Sequence, residues 1–387
     1  MGSIATQYYG KFNYLPRGTK PTPGTGAYSL PALINFQASP SLPLTDIRPS
    51  LDLGDASPFE LSKHGFTARR CESRLNSAPY DRASWKDENL LRSIYFPEVE
   101  ELLKKVTGCK HVIPTGAILR SNLYSEEPEP SEGEEKKADE EITICCPIYG
   151  SRPDAGVSTA PKVHLDFTPR GARRQIRKQH RDLVSVAEPV IEAENKLLRS
   201  GVDWDDLKDH YNRNADGEEG IPRFALFSVW RPLKTVTRDP LAVAPTLSFP
   251  KSDYSPMEYY DVSFDKDIPP HLAEIIDPAA PQGRSKENDE HKAGKYRTWA
   301  YTAHKPRDTQ GKGHDWHFIS HQEPSEVLII QFFDNETEAT LRAPQDADDT
   351  SPELPVCGAI HSSFELDGQN EEEEARESLE VRCTVFW

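Results

Sequence analysis

Val163-His164-Leu165-Asp166-Phe167 alternates strictly between apolar and polar residues. A period of two is typical of a β-strand with one buried face, so His164 and Asp166 are predicted to share the opposite face. An imidazole and a carboxylate two residues apart on one strand face can bind the same metal ion. One more histidine from a distant strand would complete a two-histidine, one-carboxylate set, which is typical of non-haem Fe(II) sites with open positions.

His361 is the best candidate for the distal histidine. It lies in Cys357-Gly358-Ala359-Ile360-His361-Ser362-Ser363-Phe364, a predicted strand near the carboxyl end of the chain. A long insertion therefore separates the two ligand-bearing strands. The sequence predicts His164, Asp166 and His361 as the metal ligands.

The last predicted strand, Ser378–Trp387, carries a candidate anion-binding pair. Its odd positions from Leu379 are apolar or cysteine and most even positions are polar, so Arg376 and Ser378 share the polar face with Arg382. A guanidinium binds a carboxylate in bidentate fashion, and a hydroxyl adds a further hydrogen bond. The dicarboxylate 2-oxoglutarate fits this pair, because its keto-acid end chelates iron while its other carboxylate needs a cationic partner.

Each of these features also has a plainer explanation. An HxD triplet arises by chance, and Arg376 could pair with the acidic run Glu371–Glu374. A rival metal site is offered by His314, His317 and His321, which could hold zinc in a hydrolase, although on a strand His314 would point away from the other two. Three functions therefore stay open from the residues: an iron enzyme, a zinc hydrolase, and a non-catalytic binding protein that retains these side chains for structural reasons.

Composition narrows the class of protein. The 387 residues carry a formal charge of −17, from 46 Lys plus Arg against 63 Asp plus Glu, which disfavours general binding to nucleic acid or anionic lipid. No apolar run approaches the length of a membrane span, and the N-terminus lacks the apolar core of a signal peptide. The six scattered cysteines form no CxxC pair, which favours reduced thiols. We expect a cytoplasmic protein with a small-molecule ligand and neither a nucleic-acid nor a membrane partner.

The chain is predicted to consist of an extended arm and one large domain. Residues 1–60 are rich in Pro, Gly and Ser, which is typical of an arm laid over a core. Residues 61–387 are predicted to form a single domain with polar insertions near 124–141 and 266–313.

Helical patterns precede the strands along the chain. They cover 81–107, a segment that begins at Pro169, and Val186–Ser200. Asp87 or Asn89 could cap the first helix and Thr168 the second. The basic run from Arg173 to Arg177 is predicted to be a solvated helix face, because the protein is acidic and no aromatic residues are interleaved.

The later half of the chain is rich in predicted strands: Arg223–Leu233, Tyr296–Thr302, Glu326–Phe333, Ala359–Phe364 and Leu379–Trp387. Helices first and strands later predict an α+β chain, with a β-barrel or sandwich backed by helices.

From about Ile142 to the C-terminus the chain resembles a fungal family of iron- and 2-oxoglutarate-dependent oxygenases. These are hydroxylase/desaturase proteins of secondary metabolism, with gibberellin-desaturase-like and cephem-methoxylase-like members. The resemblance rests on five motifs in family order: VHLDFTPRGA (163–172), SVWRPL (228–233), PSEVLIIQFFDN (324–335), IHSSFEL (360–366) and ARESLEVRCTVFW (375–387).

The resemblance implies a double-stranded β-helix (a jelly-roll, cupin-like core) that uses Fe(II), O2 and 2-oxoglutarate to oxidise an unactivated C–H bond of a small molecule. It assigns the metal to His164, Asp166 and His361, and the co-substrate to Arg376 and Ser378. Arg231 in the WRPL motif either holds co-substrate or substrate in the pocket or braces the fold. The long 266–313 region, the acidic 366–375 loop and the histidines of 314–321 depart from the family pattern, so the resemblance does not identify the substrate.

Overall fold

A computed structural model describes residues 7–20, 30–124, 146–151, 157–177, 181–212, 220–248, 250–261, 296–306, 314–340 and 357–387. The predicted insertions near 124–141 and 266–313 lie largely outside the described residues.

Strands dominate the described part of the chain. They are β1 Tyr8–Lys11, β2 Asn13–Tyr14, β3 Gln37–Ala38, β4 Leu42–Asp46, β5 Phe66–Arg70, β6 His111–Asn122, β7 Ile148–Tyr149, β8 Val157–Ser158, β9 His164–Leu165, β10 Phe224–Pro232, β11 Leu241–Ala244, β12 Tyr254–Asp261, β13 Tyr296–Ala303, β14 Trp316–Phe318, β15 Glu326–Asp334, β16 Ile360–Ser363, β17 Glu365–Leu366 and β18 Ser378–Phe386. The α-helices are α1 Leu61–His64, α2 Glu88–Leu90, α3 Phe96–Thr107, α4 Pro169–Gln175, α5 Arg181–Arg199 and α6 Asn335–Thr340, and a π-helical turn at Leu91–Tyr95 joins α2 to α3.

The strands form two large sheets that the chain visits alternately. One contains the row β9-β16-β11-β14 and the other the row β6-β18-β10-β15, and the pairs within each row are antiparallel. Because strands next to each other in a row are far apart in sequence, neither row can form from local hairpins alone. Two interleaved four-stranded sheets of this kind make a double-stranded β-helix, or jelly roll, which confirms the predicted fold class.

The alternation of side chains on β10 and β18 separates two layers of core. On β10, Leu226 and Trp230 belong to the cluster between the two sheets, whereas Phe227 and Val229 belong to the cluster under the helices. The helical side is covered by apolar residues from the π-helical turn and α3: Leu91, Tyr95, Val99 and Leu103. Helices therefore back one sheet, and the space between the sheets is left for a site.

The predicted helix starts are present, with defined caps. The Asp87 carboxylate accepts hydrogen bonds from the backbone N–H groups of Asn89 and Leu90, so Asp87 rather than Asn89 is the cap. Thr168 accepts from the backbone N–H of Gly171 at the start of α4. Thr168 thus fixes where the chain turns into a helix directly after His164 and Asp166.

The prediction of a solvated basic face on the helix after Pro169 is wrong. Arg173 is 1% exposed, and its Nη2 lies 2.5 Å from Oε2 of Glu338 on α6. Arg177 is equally buried, with Nη1 2.6 Å from Oε2 of Glu194 on α5. Carboxylates from two other helices, the next helix α5 and the distant α6, make the burial of these cations tolerable. The pattern of α4 alone could not reveal those partners.

The described part of residues 1–60 adds strands to the sheet that contains β9 and β16, which has nine strands in all. There β1 pairs with both β4 and β17, and the side chains of Phe12 and Tyr14 are fully buried.

Among the described helices, none is long and apolar enough to cross a membrane. No disulfide joins any two of the described cysteines, Cys71, Cys109, Cys146, Cys357 and Cys383.

Candidate active site

His164, Asp166 and His361 converge between the sheets. His164 on β9 is directly paired with His361 on β16, and Asp166 follows β9 by one residue. His164 Nε2 lies 3.6 Å from Asp166 Oδ1, and His361 Nε2 lies 3.7 Å from Asp166 Oδ2. One ligand atom from each side chain lies within 4.8 Å of the others, and among the described residues no other group of three potential ligands does so.

Backbone carbonyls set the tautomer of both imidazoles. Nδ1 of His164 lies 2.5 Å from the carbonyl oxygen of Lys162, and Nδ1 of His361 lies 3.2 Å from that of Ala359. A carbonyl oxygen only accepts, so each ring donates from Nδ1 and keeps the Nε2 lone pair for a metal. Burial and the neighbouring His361 lower the pKa of His164 to about 4, so this ring is neutral at pH 7.

Asp166 is kept ionised by the charges around it. Its burial raises the pKa of the carboxyl, but the Arg382 guanidinium and the two histidines outweigh that effect and hold the pKa below its ordinary value. Arg382 Nη2 donates to Asp166 Oδ2 at 3.1 Å. Two imidazoles and a carboxylate are the donor set that suits a divalent iron.

A cavity lined by the two histidines extends to Arg376. Its other lining residues include Ser228, Trp230, Leu241, Ile330, Phe332, Ser363, Glu380 and Arg382. Arg376 is 3% exposed, with its guanidinium 5.0 Å from the centre of the Trp230 ring. Trp230 therefore covers the face of the guanidinium and leaves its edge for a ligand.

Arg376 has hydrogen-bonding capacity to spare. Its Nη1 donates to the carbonyl oxygen of Asp239 at 2.5 Å, whereas its Nε has no partner within the described residues. The same holds for the buried hydroxyl of Ser378. Burial and the Arg120 guanidinium lower the pKa of Arg376 to about 9. Keeping this side chain charged in the folded protein therefore costs free energy, which a bound anion would offset. A dicarboxylate in this cavity fits the unused donors.

Arg231 does not lie in the cavity. Its Nε donates to the Tyr95 hydroxyl at 3.0 Å, and its Nη1 donates to the carbonyl oxygens of Cys71 (2.7 Å) and Pro324. On β10 it points to the helical side because it follows Trp230, which faces the cavity. These contacts do not support the prediction that Arg231 binds the cofactor. They favour the other expected role, in which Arg231 braces the fold.

The rival histidines are not brought together. His314 hydrogen-bonds through Nε2 to Asp253 (2.8 Å) and through Nδ1 to the Tyr14 hydroxyl (3.0 Å). His317 packs against aromatic rings, and His321 has a left-handed backbone with φ 45° in an exposed turn. Within the described residues, His314, His317 and His321 therefore do not form a set of zinc ligands.

Sequence reasoning missed two charged residues of the cavity, Glu380 and Arg120. Glu380 lies between Ser378 and Arg382 on the same face of β18, so the period of two on that strand would have found it. Arg120 lies opposite Ser378 through the pairing of β6 with β18. No local signal predicts that pairing, because the two strands are far apart in sequence.

Comparison with known proteins agrees with this architecture. Residues 36–194 and 288–386 match the family described as "Oxidoreductase/YMDC permease-like domain". The chain is 50% identical to "Oxidoreductase chry3" of Gibberella zeae over the whole of both chains. It is 30% identical to "Gibberellin cluster GA4 desaturase" of Gibberella fujikuroi over 89% of this chain and 86% of that one.

A solved structure is similar over the same length. The "iron and alpha-ketoglutarate-dependent endoperoxidase NvfI" superposes with a TM-score of 0.52 over 98% of this chain and 97% of that one, at 19% identity, which supports the fold. Further fungal relatives are named hydroxylase/desaturases and alpha-ketoglutarate-dependent dioxygenases. The chain is thus an oxidoreductase and belongs to the family of fungal oxidoreductases, hydroxylase/desaturases and alpha-ketoglutarate-dependent dioxygenases of secondary metabolism.

Proposed function

We propose that this protein is an Fe(II)- and 2-oxoglutarate-dependent dioxygenase that oxidises an unactivated C–H bond of a small secondary-metabolite intermediate. The observation that carries the proposal is one cavity whose lining combines two features. His164 and His361, which converge with Asp166, line it together with the buried Arg376, which has an unused donor.

These two features have separate binding roles. Nε2 of His164, Nε2 of His361 and the Asp166 carboxylate would hold Fe(II), and the remaining positions would stay open for exchangeable ligands. Arg376 and Ser378 would take the far carboxylate of 2-oxoglutarate, which orients its keto-acid end toward the metal. His164, His361 and Arg376 line one cavity, so a single small dicarboxylate is the co-substrate class that the cavity fits.

The chemistry that Fe(II) and the keto acid supply is the reduction of O2 coupled to decarboxylation, which yields succinate, CO2 and an oxidising equivalent for a C–H bond. The chain contributes the surroundings of that reaction. Trp230, Ile330 and Phe332 line the cavity with apolar surface, which would exclude water once substrate binds. Hydroxylation, desaturation or ring formation then depends on how the substrate is aimed in this cavity.

We also propose that the enzyme works in the cytoplasm on a free small molecule. The acidic balance of the chain supports this, since a formal charge of −17 opposes binding to phosphate backbones and anionic membranes.

The experiment is iron binding and turnover of the purified protein. After anaerobic loading, one Fe(II) per chain is expected, followed by slow formation of succinate when O2 and 2-oxoglutarate are added without substrate. His164→Ala should lose both the iron and the succinate.

His317→Ala is the matched control. His317 is also buried in the nine-stranded sheet and lies in the same pairing row, with Val243 between it and His361. This variant should keep both properties. A wild-type protein without bound iron, or a His164→Ala protein that forms succinate at the wild-type rate, would contradict the proposal.

A further inference from the structure

Asp166 has an additional partner that breaks the symmetry of the metal site. Each carboxylate oxygen faces a different histidine, with Oδ1 3.6 Å from His164 Nε2 and Oδ2 3.7 Å from His361 Nε2. Without a further contact, both oxygens are about equally placed to reach an ion between the rings. Arg382 Nη2 donates to Oδ2 at 3.1 Å, and no such donor is recorded on Oδ1 among the described residues.

Arg382 is itself held in position. Its Nε donates to Oε1 of Glu380 at 2.7 Å, and its guanidinium lies 5.4 Å from the centre of the Phe332 ring. Glu380 also lies 3.8 Å from Arg120, which ties it to the neighbouring strand β6. Glu380 thus fixes the direction of the guanidinium and offsets its positive charge beside a site for a dication.

A guanidinium N–H can only donate, so it occupies one of the lone pairs of Oδ2 and makes that oxygen a weaker metal ligand than Oδ1. Carboxylates bind metals through one oxygen or through two. In a six-coordinate site, a second oxygen from Asp166 would take a position that a chelating keto acid or O2 requires. The choice between one oxygen and two therefore decides whether the co-substrate can chelate.

We propose that Arg382, braced by Glu380, is a positioning residue that keeps Asp166 as a one-oxygen ligand and so preserves an open position for the co-substrate. The inference rests on the proposed function, because it presupposes that Fe(II) and 2-oxoglutarate bind in this cavity. It predicts an unusual separation of effects. Loss of Arg382 frees Oδ2 for the metal and removes a nearby cation, so metal affinity holds while co-substrate affinity falls.

The test compares Arg382→Gln, Arg382→Lys and Glu380→Gln with the wild type in three measurements. The absorption spectrum of the Co(II)-substituted protein without keto acid reports the coordination of the metal. Anaerobic dialysis gives the Kd for Fe(II), and anaerobic titration of the Fe(II)-loaded protein gives the Kd for 2-oxoglutarate. Arg70→Gln is the control: Arg70 pairs with Asp52 and Glu326 in the same sheet and does not line the cavity.

For Arg382→Gln we expect a changed Co(II) spectrum, an unchanged or lower Kd for Fe(II), and a Kd for 2-oxoglutarate raised by about tenfold, within the range typical of lost partners of metal ligands. Arg382→Lys keeps a donor and should recover part of the 2-oxoglutarate affinity. Glu380→Gln should give a smaller change of the same kind, and Arg70→Gln none.

An unchanged Co(II) spectrum in Arg382→Gln would overturn the inference, since Asp166 then binds the metal as before. Weaker Fe(II) binding, or equal weakening of both ligands, would also overturn it and would assign Arg382 a purely structural role. If Arg382→Gln does not fold, Arg382→Lys and Glu380→Gln decide by the same criteria. If the wild type binds Fe(II) and 2-oxoglutarate but the variants do not separate the Kd for Fe(II) from the Kd for 2-oxoglutarate, only this inference is refuted. If the wild type binds neither ligand, the proposed function is refuted.

Discussion

His164 and His361 are directly paired residues of two antiparallel strands, and the centres of their rings lie 4.4 Å apart. The metal site is therefore a product of strand register as much as of residue identity. A slip of one residue between β9 and β16 would turn one imidazole to the other face of the sheet. Because the flanking Val163 and Ile360 are buried, such a slip would also expose apolar surface. The burial of these core residues therefore fixes the strand register on which the metal site depends.

Arg376→Gln should weaken the binding of 2-oxoglutarate and leave iron binding intact. A hydrogen bond to a charged partner contributes about 1.5–3 kcal/mol, which corresponds to an increase in Kd of roughly tenfold to hundredfold. Arg376→Lys keeps the charge but not the paired donors, so an intermediate Kd is expected. Anaerobic titration of the Fe(II)-loaded protein measures the change. Equal affinities in Arg376→Gln and wild type would exclude this arginine as the co-substrate anchor.

The same arginine should lower the stability of the ligand-free protein. Burial lowers the pKa of Arg376 to about 9, below its ordinary value, so at pH 7 the folded protein bears the full cost of a buried cation, a cost that diminishes only as the pH rises above 9. Arg376→Met should therefore raise the melting temperature without ligand and abolish the stabilisation that 2-oxoglutarate gives the wild type. Thermal melts with and without 2-oxoglutarate measure both effects. A destabilised Arg376→Met protein would show that the contacts of Arg376 outweigh its desolvation.

The local sequence pattern was sufficient to predict which site residues share a face where those residues lie on one strand. The alternation in 163–167 placed His164 and Asp166 on one face, and the alternation of the last strand placed Arg376 beside Ser378. The same rule, applied to β10, would have turned Arg231 away from the cavity, since Trp230 and Arg231 are neighbours. The resemblance supplied the jelly roll, whose pairings join strands distant in sequence.

The parts that sequence could not predict depend on such distant partners. Arg173 and Arg177 look solvated in a basic run, yet they are neutralised by Glu194 and Glu338 from other helices. Arg120 reaches the cavity only because β6 pairs with β18. A single sequence shows each charge without its partner, so burial of an ion pair cannot be inferred from it.

Arg231→Met should destabilise the fold without changing ligand affinity. The variant leaves the carbonyl oxygen of Cys71 without its Arg231 donor and that of Pro324 with only the long hydrogen bond from Asn76 Nδ2 at 3.5 Å. A buried group that loses a partner costs about 1–3 kcal/mol. Urea unfolding at pH 7 measures the loss, and titration of the folded, Fe(II)-loaded variant gives its Kd for 2-oxoglutarate. A raised Kd with little change in stability would return Arg231 to the cavity.

Arg173→Met should be among the most destabilising single changes, because it removes the cation that pairs with the buried carboxylate of Glu338 and leaves Glu194 paired with Arg177. Removal of one partner of a buried ion pair costs about 3–5 kcal/mol. The double variant Arg173→Met/Glu338→Leu should lose less stability than the sum of the two single changes, since it removes both charges. Urea unfolding of the four proteins measures this coupling. Additive losses would mean that the two side chains do not stabilise one another.

Protonation of Asp253 at low pH should remove the contribution of this carboxylate to the stability of the fold. Its burial raises the pKa of the carboxyl, but hydrogen bonds from His314 and Arg17 reverse that effect and hold the pKa below its ordinary value. A carboxyl with a depressed pKa in the folded state stabilises the fold above its unfolded value of about 3.9, and this contribution is lost as the pH falls through the folded pKa. Asp253→Asn should therefore destabilise the protein at pH 7 by about 1–3 kcal/mol, and the difference from wild type should shrink below pH ~4. Urea unfolding between pH 7 and pH ~3.5 measures it, with Asp52→Asn as an exposed control that should change stability little at any pH. A difference that stays constant across this range would mean that Asp253 stabilises the fold by packing rather than by its charge.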